Sequence, residues 1–243
     1  VLALLPFEPP FFEKVGLPCH FVGHPVLEYG ADKGNGHLFR ERHGISAKAV
    51  VLCILPGSRQ GEVRRLAPIF GTVLNILLKR GHSFHVFFPT VETVAKTLPD
   101  YVRDWPVTVT ILSDSKEKYD LMAASNAAIA ASGTVSLELA LAKVPTIIAY
   151  KVASVTAPIL GLLLKVKFVN LINIILNKEV VPERLQHLCK PVIIADDLER
   201  LLDDNEKEKQ IRRVSPALKK LGVGSDPPSS RAAQIILKLL AEN

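Results

Sequence analysis

Residues 126–150 read NAAIAASGTVSLELALAKVPTIIAY, and this stretch decides the fold. Residues 127–131 form a short apolar run, the pattern of a strand buried on both faces. Ser132, Gly133 and Thr134 interrupt it: glycine allows a tight turn, and Ser and Thr suit a helix N-cap. Residues 135–143 are rich in Leu and Ala and end on Lys143, a cation suited to the negative end of a helix. Pro145 closes that helix, and residues 146–150 read as the next strand. Strand, small-residue turn, helix and strand make one βαβ unit, and parallel sheets bind ligands at such turns.

Glu138 is the informative residue of the unit. It lies four residues after Thr134, on the same helical face, with its side chain leaning back toward the turn. A helix start carries unpaired N–H groups and partial positive charge, which suit an anion such as phosphate. A carboxylate at that place accepts hydrogen bonds from hydroxyls, as an acidic residue does for a nucleotide ribose. The competing reading is compensation of the helix dipole. A capping box is excluded by spacing, because neither Ser132 nor Thr134 stands three residues before a Glu.

A second corner of the same kind lies upstream. Residues 49–55 (AVVLCIL) read as a β-branched buried strand, and Pro56, Gly57, Ser58 and Arg59 follow as a turn. A long helix over 62–79 repeats Leu66, Ile69, Phe70, Val73, Leu74 and Leu77 at helical spacing. Arg59 is permanently charged and can fork onto phosphate oxygens beside the free N–H groups of a glycine turn. A plain surface arginine is the alternative. Strands at 83–88 and 107–111, with helices near 92–98 and 119–124, complete the alternation. The fold class is therefore α/β, a Rossmann-like parallel sheet with helices on both faces. Neither G-x-G-x-x-G nor G-x-x-x-x-G-K-[ST] occurs, which lowers the dinucleotide and P-loop readings.

Beyond residue 150, 154–164 reads as an apolar core helix. Residues 168–176 (FVNLINIIL) set Asn170 and Asn173 among apolar neighbours, so Asn173 either locks a backbone turn or faces a ligand. Residues 180–186 read as a Pro-started helix with Glu183 and Gln186 at its mouth, or as a merely solvated first turn. Residues 192–195 read as a last short strand, 197–204 and 206–221 as charged, solvent-facing helices, and 231–240 as an amphipathic helix. Upstream, strands are expected at 1–6 and 20–22 and a short helix at 11–15. The polar, glycine-containing stretch after residue 26 reads as a linker, and His24 as a structural hydrogen-bonder.

The 243 residues suffice for one large α/β domain with attached pieces. A formal charge of +6, from 30 Lys+Arg against 24 Asp+Glu, favours an anionic partner. Nucleic acid is the weakest candidate, because the basic residues are scattered and no aromatic stacking motif accompanies them. Cys19, Cys53 and Cys189 lack metal or redox spacing and fit buried thiols in a reducing cytoplasm. Residues 157–176 form the longest apolar region, but Lys165, Lys167, Asn170 and Asn173 interrupt it, which argues against a spanning helix. Peripheral contact through Lys151, Lys165 and Lys167 stays open.

Five segments taken in order, FVGHPV (21–26), LPGSRQGEV (55–63), ASGTVSLELAL (131–141), AYKVA (149–153) and EVVPERLQ (179–186), resemble the lipid-A-disaccharide synthase family. That resemblance implies a bacterial glycosyltransferase of the two-domain GT-B arrangement, with this chain containing its nucleotide-binding half. It implies transfer of 2,3-diacylglucosamine from UDP-2,3-diacylglucosamine to 2,3-diacylglucosamine 1-phosphate at the cytoplasmic face of the inner membrane. No metal or other cofactor is implied, no nucleic acid, and a homodimer stays open. Arg59 would pair with the UDP phosphates. Gly57 and Ser58 belong to the same corner, and Ser132, Gly133 and Thr134 would present N–H groups to the diphosphate. Glu138 would hold the ribose hydroxyls, with Asn173, Glu183 and Gln186 approaching the nucleotide.

Four parts follow as expectations: 1–26 a remnant of an amino-terminal acceptor domain, 27–48 a linker, 49–222 the UDP-sugar-binding domain, and 223–243 a helix packing on the amino-terminal domain. The start without Met, inside a strand, suggests a piece cut from something longer. The acid–base carboxylate of the family belongs to the amino-terminal domain, so no catalytic residue is assigned and the chain alone is expected not to turn over. A UDP-N-acetylglucosamine 2-epimerase, another UDP-sugar enzyme of this architecture, and a non-catalytic UDP-binding half are the alternatives.

Overall fold

The computed structural model describes residues 1–113, 117–151 and 167–241. The helix expected over 154–164 lies outside the described residues. The chain opens with β1 (Leu2–Ala3), α1 (Pro9–Glu13) and β2 (His20–Phe21), whose strands pair in parallel as a separate two-stranded sheet. Then come α2 (Gly36–Arg42), β3 (Val50–Leu55), α3 (Gln60–Lys79), β4 (Phe84–Pro89), α4 (Glu92–Ala95), α5 (Leu98–Val102) and β5 (Val109–Leu112). The second half contains α6 (Lys118–Ala124), β6 (Ala127–Ala130), α7 (Val135–Leu141), β7 (Thr146–Tyr150), α8 (Leu171–Leu176) and β8 (Glu183–Leu185). Three helices finish it: α9 (Pro191–Leu201), α10 (Asp204–Leu221) and α11 (Pro228–Ala241).

Six strands form one all-parallel sheet in the order β5-β4-β3-β6-β7-β8. The chain starts at the centre, winds outward through β4 and β5, then returns to lay β6 on the other side of β3. That reversal creates a switch point between β3 and β6, the crevice where doubly wound sheets bind ligands. Strand residues alternate between two cores. Val51, Cys53 and Leu55 face α2, α6, α7 and α10, while Leu52 and Ile54 face α3, α5 and α9. Each such fully buried aliphatic side chain contributes about 1.5–3 kcal/mol.

One residue ties the halves of the sheet together. Asn126 Oδ1 accepts hydrogen bonds from Val51 N–H at 2.9 Å and from Arg40 Nη2 at 3.0 Å, and its own N–H donates to Val51 O. The guanidinium of Arg40 also reaches the carbonyls of Ser46, Ala49 and Ala124. The stretch 27–48, which reads as a linker, is thus packed onto the sheet, with Phe39 wholly buried. Its backbone lies so close to α6 that a Cβ at Gly34 would stand 2.0 Å from Tyr119 O, and one at Gly36 2.5 Å from Ala123 O.

Three expectations are corrected. Residues 192–195 are not a strand but the first turn of α9, started by Pro191 at a position where the missing N–H costs nothing. Residues 183–185 are not a helix but the edge strand β8, so Pro182 precedes a strand, the other place where a missing donor is tolerated. Asp197, expected on a solvated helix, is buried and holds Arg184 at 2.5 Å and Arg200 at 2.8 Å. All three cysteines are free and buried, and His24 Nδ1 accepts from Val26 N–H as a local cap.

Candidate functional site

The two glycine corners meet. Leu55 and Ala130 are paired across β3 and β6, and Ala131 N–H donates to Leu55 O at 2.7 Å, so the turns that follow both strands start side by side. They open onto a cleft of about 510 Å³ at the carboxyl edge of the sheet. Gly57, Ser58, Arg59, Ser132, Gly133, Thr134 and Glu138 all line it.

The first corner is shaped by Gly57. Its φ of +120° belongs to the region glycine adopts without strain, and a Cβ there would approach Glu62 Oε2 to 2.2 Å. The turn feeds the 20-residue α3, and Arg59 at its N-cap makes no side-chain cap. Among the described residues, the N–H groups of Gly57, Ser58 and Arg59 meet no acceptor, and they lie at the positive end of the helix. The Arg59 side chain is 82% exposed, with Nη1 3.4 Å from Glu62 Oε1. A loose pair of that kind leaves the guanidinium available to an anion.

At the second corner Thr134 occupies the N-cap of α7 without capping it through its side chain. The N–H groups of Gly133, Thr134 and Val135 meet no acceptor among the described residues. Ser132 Oγ donates to Val169 O at 2.9 Å, and Ser136 Oγ to Gly133 O at 2.8 Å. These bonds leave the corner's N–H groups uncommitted.

Glu138 lines the cleft yet is only 6% exposed. Lys118 Nζ lies 2.5 Å from its Oε2, and Tyr119 Oη donates to its Oε1 at 3.1 Å. Burial, and then the charge of Glu138, push the Tyr119 hydroxyl above its ordinary range, so it stays a proton donor. The Cys53 thiol, wholly buried in β3 near both charges, is pushed up to about 12 by burial and is inert. Lys118 and Tyr119 are the residues that sequence reasoning missed. They stand on α6, 20 and 19 residues before Glu138, and only the packing of α6 beside α7 brings them to it.

Asn173, Glu183 and Gln186 do not reach the cleft wall. Asn173 Nδ2 donates to Val181 O and Glu183 Oε1, both at 2.7 Å, and its Oδ1 accepts from Val180 and Val181 N–H. All of its hydrogen-bonding capacity is spent, which makes it the lock of a backbone turn. Glu183 also accepts from Val169 N–H at 2.9 Å and Asn170 N–H at 3.0 Å. The pair therefore bears on the cleft through Val169, whose carbonyl receives the Ser132 hydroxyl. Gln186, with φ +46°, opens the 3-10 turn after β8. Among the described residues no cluster of His, Cys, Asp or Glu has the geometry of a metal site.

The doubly wound parallel sheet, with two uncapped corners sharing one cleft at its switch point, has the Rossmann-like α/β fold of the GT-B class. The fold is similar to that of a glycosyltransferase from Rickettsia africae, with TM-score 0.62 and 11% identity over 100% of this chain and 64% of that one. A UDP-GlcNAc 2-epimerase from Neisseria meningitidis is similar at TM-score 0.60 and 15% identity, over 99% of this chain and 61% of that one.

Within that class the chain belongs to the family described as lipid-A-disaccharide synthetase, whose model matches residues 1–236. Relatives called lipid-A-disaccharide synthase are 50% identical in Rhodospirillum centenum and 44% identical in Paramagnetospirillum magneticum, each match covering all of this chain. The chain spans about three-fifths of their length, 61% and 63% respectively.

Proposed function

We propose that the cleft binds the UDP part of UDP-2,3-diacylglucosamine and that the chain serves transfer of the sugar to 2,3-diacylglucosamine 1-phosphate. UDP leaves, and the β-1,6-linked disaccharide of lipid A forms. The observation that carries this reading is that Arg59 and Glu138, on helices that follow different strands, line one cleft. One nucleotide diphosphate can therefore touch both.

The roles follow from the chemistry. UDP departs readily only if the charge developing on its β-phosphate is met by fixed donors. Arg59 and the uncommitted N–H groups of Gly57, Ser58, Gly133 and Thr134 meet that charge, and Ser132 shapes the second corner. Glu138 accepts from the ribose hydroxyls. Asn173 and Glu183 hold the segment that carries Val169 against Ser132, while Gln186 stands farther along the sheet's carboxyl edge. Among the described residues the cleft's two carboxylates, Glu62 and Glu138, are both paired with cations. Neither is offered as general base, and the chain alone is expected to bind UDP without turnover.

Segment 1–26 is read as a remnant of an amino-terminal acceptor domain, and segment 223–243 as a helix that packs on that domain. Support comes from α11, which anchors through Ser229 to Glu28 and through Arg231 to Phe21 while leaving Ile236, Leu237 and Leu240 exposed. A peripheral position on the cytoplasmic face of the inner membrane suits a diacylated substrate, and a homodimer is compatible with the exposed apolar residues. No helix among the described residues is long and apolar enough to cross a membrane.

Calorimetric titration with UDP tests the site. Arg59→Ala and Glu138→Ala should each weaken binding about tenfold or more, the scale of a hydrogen bond to a charged group. Unchanged affinity in both variants would remove the assignment.

A further inference from the structure

Both oxygens of the Glu138 carboxylate are gripped from a single helix. Lys118 and Tyr119 are the first two residues of α6; the lysine takes Oε2 at 2.5 Å and the phenol takes Oε1 at 3.1 Å. A carboxylate so buried persists as an anion only if its charge is answered. Each oxygen offers two acceptor sites, so one on each remains for a ligand in the cleft that Glu138 lines.

The lysine is itself confined. Its Nζ lies between the Glu138 carboxylate and the Tyr119 ring, whose centroid is 5.4 Å away. The position of α6 is fixed in turn by Asn35 N–H, which donates to Asp120 Oδ1 at 2.7 Å, and by Gly34 and Gly36 lying against its backbone. Arg59, by contrast, is 82% exposed and nearly unencumbered. Among the described residues the cleft's two cations thus differ in kind: one is free to meet a ligand's charge, the other is spent on a neighbour.

We propose that Lys118 and Tyr119 are positioning residues that hold the Glu138 carboxylate rotationally fixed, so that its remaining lone pairs meet the ribose diol. This rests on the reading of the cleft as a UDP site. The phosphates are left to Arg59 and the corner N–H groups.

The test is a ligand panel of UDP, 2′,3′-dideoxy-UDP and UMP, titrated into the chain and into Lys118→Met, Lys118→Arg, Tyr119→Phe and Glu138→Gln. The wild type should prefer UDP over the dideoxy analogue by about tenfold to a hundredfold. Lys118→Met should reduce that preference to about threefold or less while leaving the ratio of UDP to UMP affinity unchanged. Tyr119→Phe should lose part of it, and Lys118→Arg should restore most of it. A wild-type diol preference that Glu138→Gln abolishes but Lys118→Met and Tyr119→Phe leave intact would overturn the positioning role alone. So would a Lys118→Met that lowers the UDP-to-UMP ratio, since the lysine would then be on the phosphates. Should Lys118→Met fail to fold, an undiminished preference in Tyr119→Phe decides against the proposal and a reduced one supports it. A wild type with no diol preference would overturn the nucleotide reading together with this one.

Discussion

Glu138 on α7 and Glu183 on β8 are buried to nearly the same degree, at 6% and 7% exposure, yet their partners differ. Glu183 takes three N–H donors, two from the backbone and one from the Asn173 amide. All three are neutral and none faces the cleft. Glu138 takes an ammonium and a phenol from side chains and lines the cleft. A carboxylate bonded on every side to neutral groups of its own fold holds that fold together. One held by side chains at a cleft wall keeps capacity for a visitor. Burial alone does not separate the two cases; the identity of the donors does.

The comparison breaks most sharply under mutation of Glu183. Glu183→Ala leaves two buried donors and one half-buried donor short of a partner and should cost about 3–5 kcal/mol, since each unsatisfied buried group costs about 1–3 kcal/mol. Its denaturant midpoint should fall steeply, whereas Glu138→Gln should stay much closer to wild type while losing UDP affinity. Equal destabilisation by the two changes would erase the distinction.

The glycine corners sharpen the contrast at a smaller scale. Gly57→Ala puts a Cβ against Glu62 at a positive φ and should cost about 1–3 kcal/mol in chemical denaturation. Among the described residues a Cβ at Gly133 meets nothing within 4 Å, so Gly133→Ala should leave stability within about 0.5 kcal/mol. Because the new methyl enters the cleft, it should still weaken UDP binding. Destabilisation by Gly133→Ala would mean that this corner is not open.

The smallest effect belongs to a carboxylate at the surface. Glu199 sits between His82 at 2.6 Å and Arg80 at 2.7 Å, tying α9 to the end of α3. The hydrogen bond from His82, and then that from Arg80, hold its pKa below the ordinary value of 4.5. A depressed folded-state pKa stabilises above the unfolded value and is lost as pH falls through the folded one. Glu199→Gln should therefore lower the melting temperature slightly at pH 7, with the difference closing as pH falls through and below the ordinary carboxylate range. A difference independent of pH would assign the tether to shape rather than charge.

Much of the cleft was legible in the chain. Parallel strands covered on both faces leave uninterrupted apolar runs, and their corners show as Gly, Ser and Thr, so Gly57 to Arg59 and Ser132 to Glu138 could be found by pattern. Lys118 and Tyr119 could not, because nothing local marks a helix start whose partner lies 20 residues on. Asn173 and Glu183 were visible as polar residues in apolar surroundings, but whether such a group faces protein or ligand depends on donors from three separate segments. Val192, Ile193 and Ile194 mimicked a strand because a short apolar run carries no period of its own. The 27–48 stretch reads as a linker by its polarity, although Phe39 and Arg40 bind it to the sheet.

The contact that joins β3 to the β6 side spans a sequence separation of 75 between Val51 and Asn126. Loop-closure entropy makes such a pairing slow relative to local helix formation. The cleft therefore has no existence in a half-folded chain: its two corners come together only when that clasp closes. On the proposed reading of the cleft, capture of UDP should be among the last properties gained in refolding, so that its binding would report completed assembly.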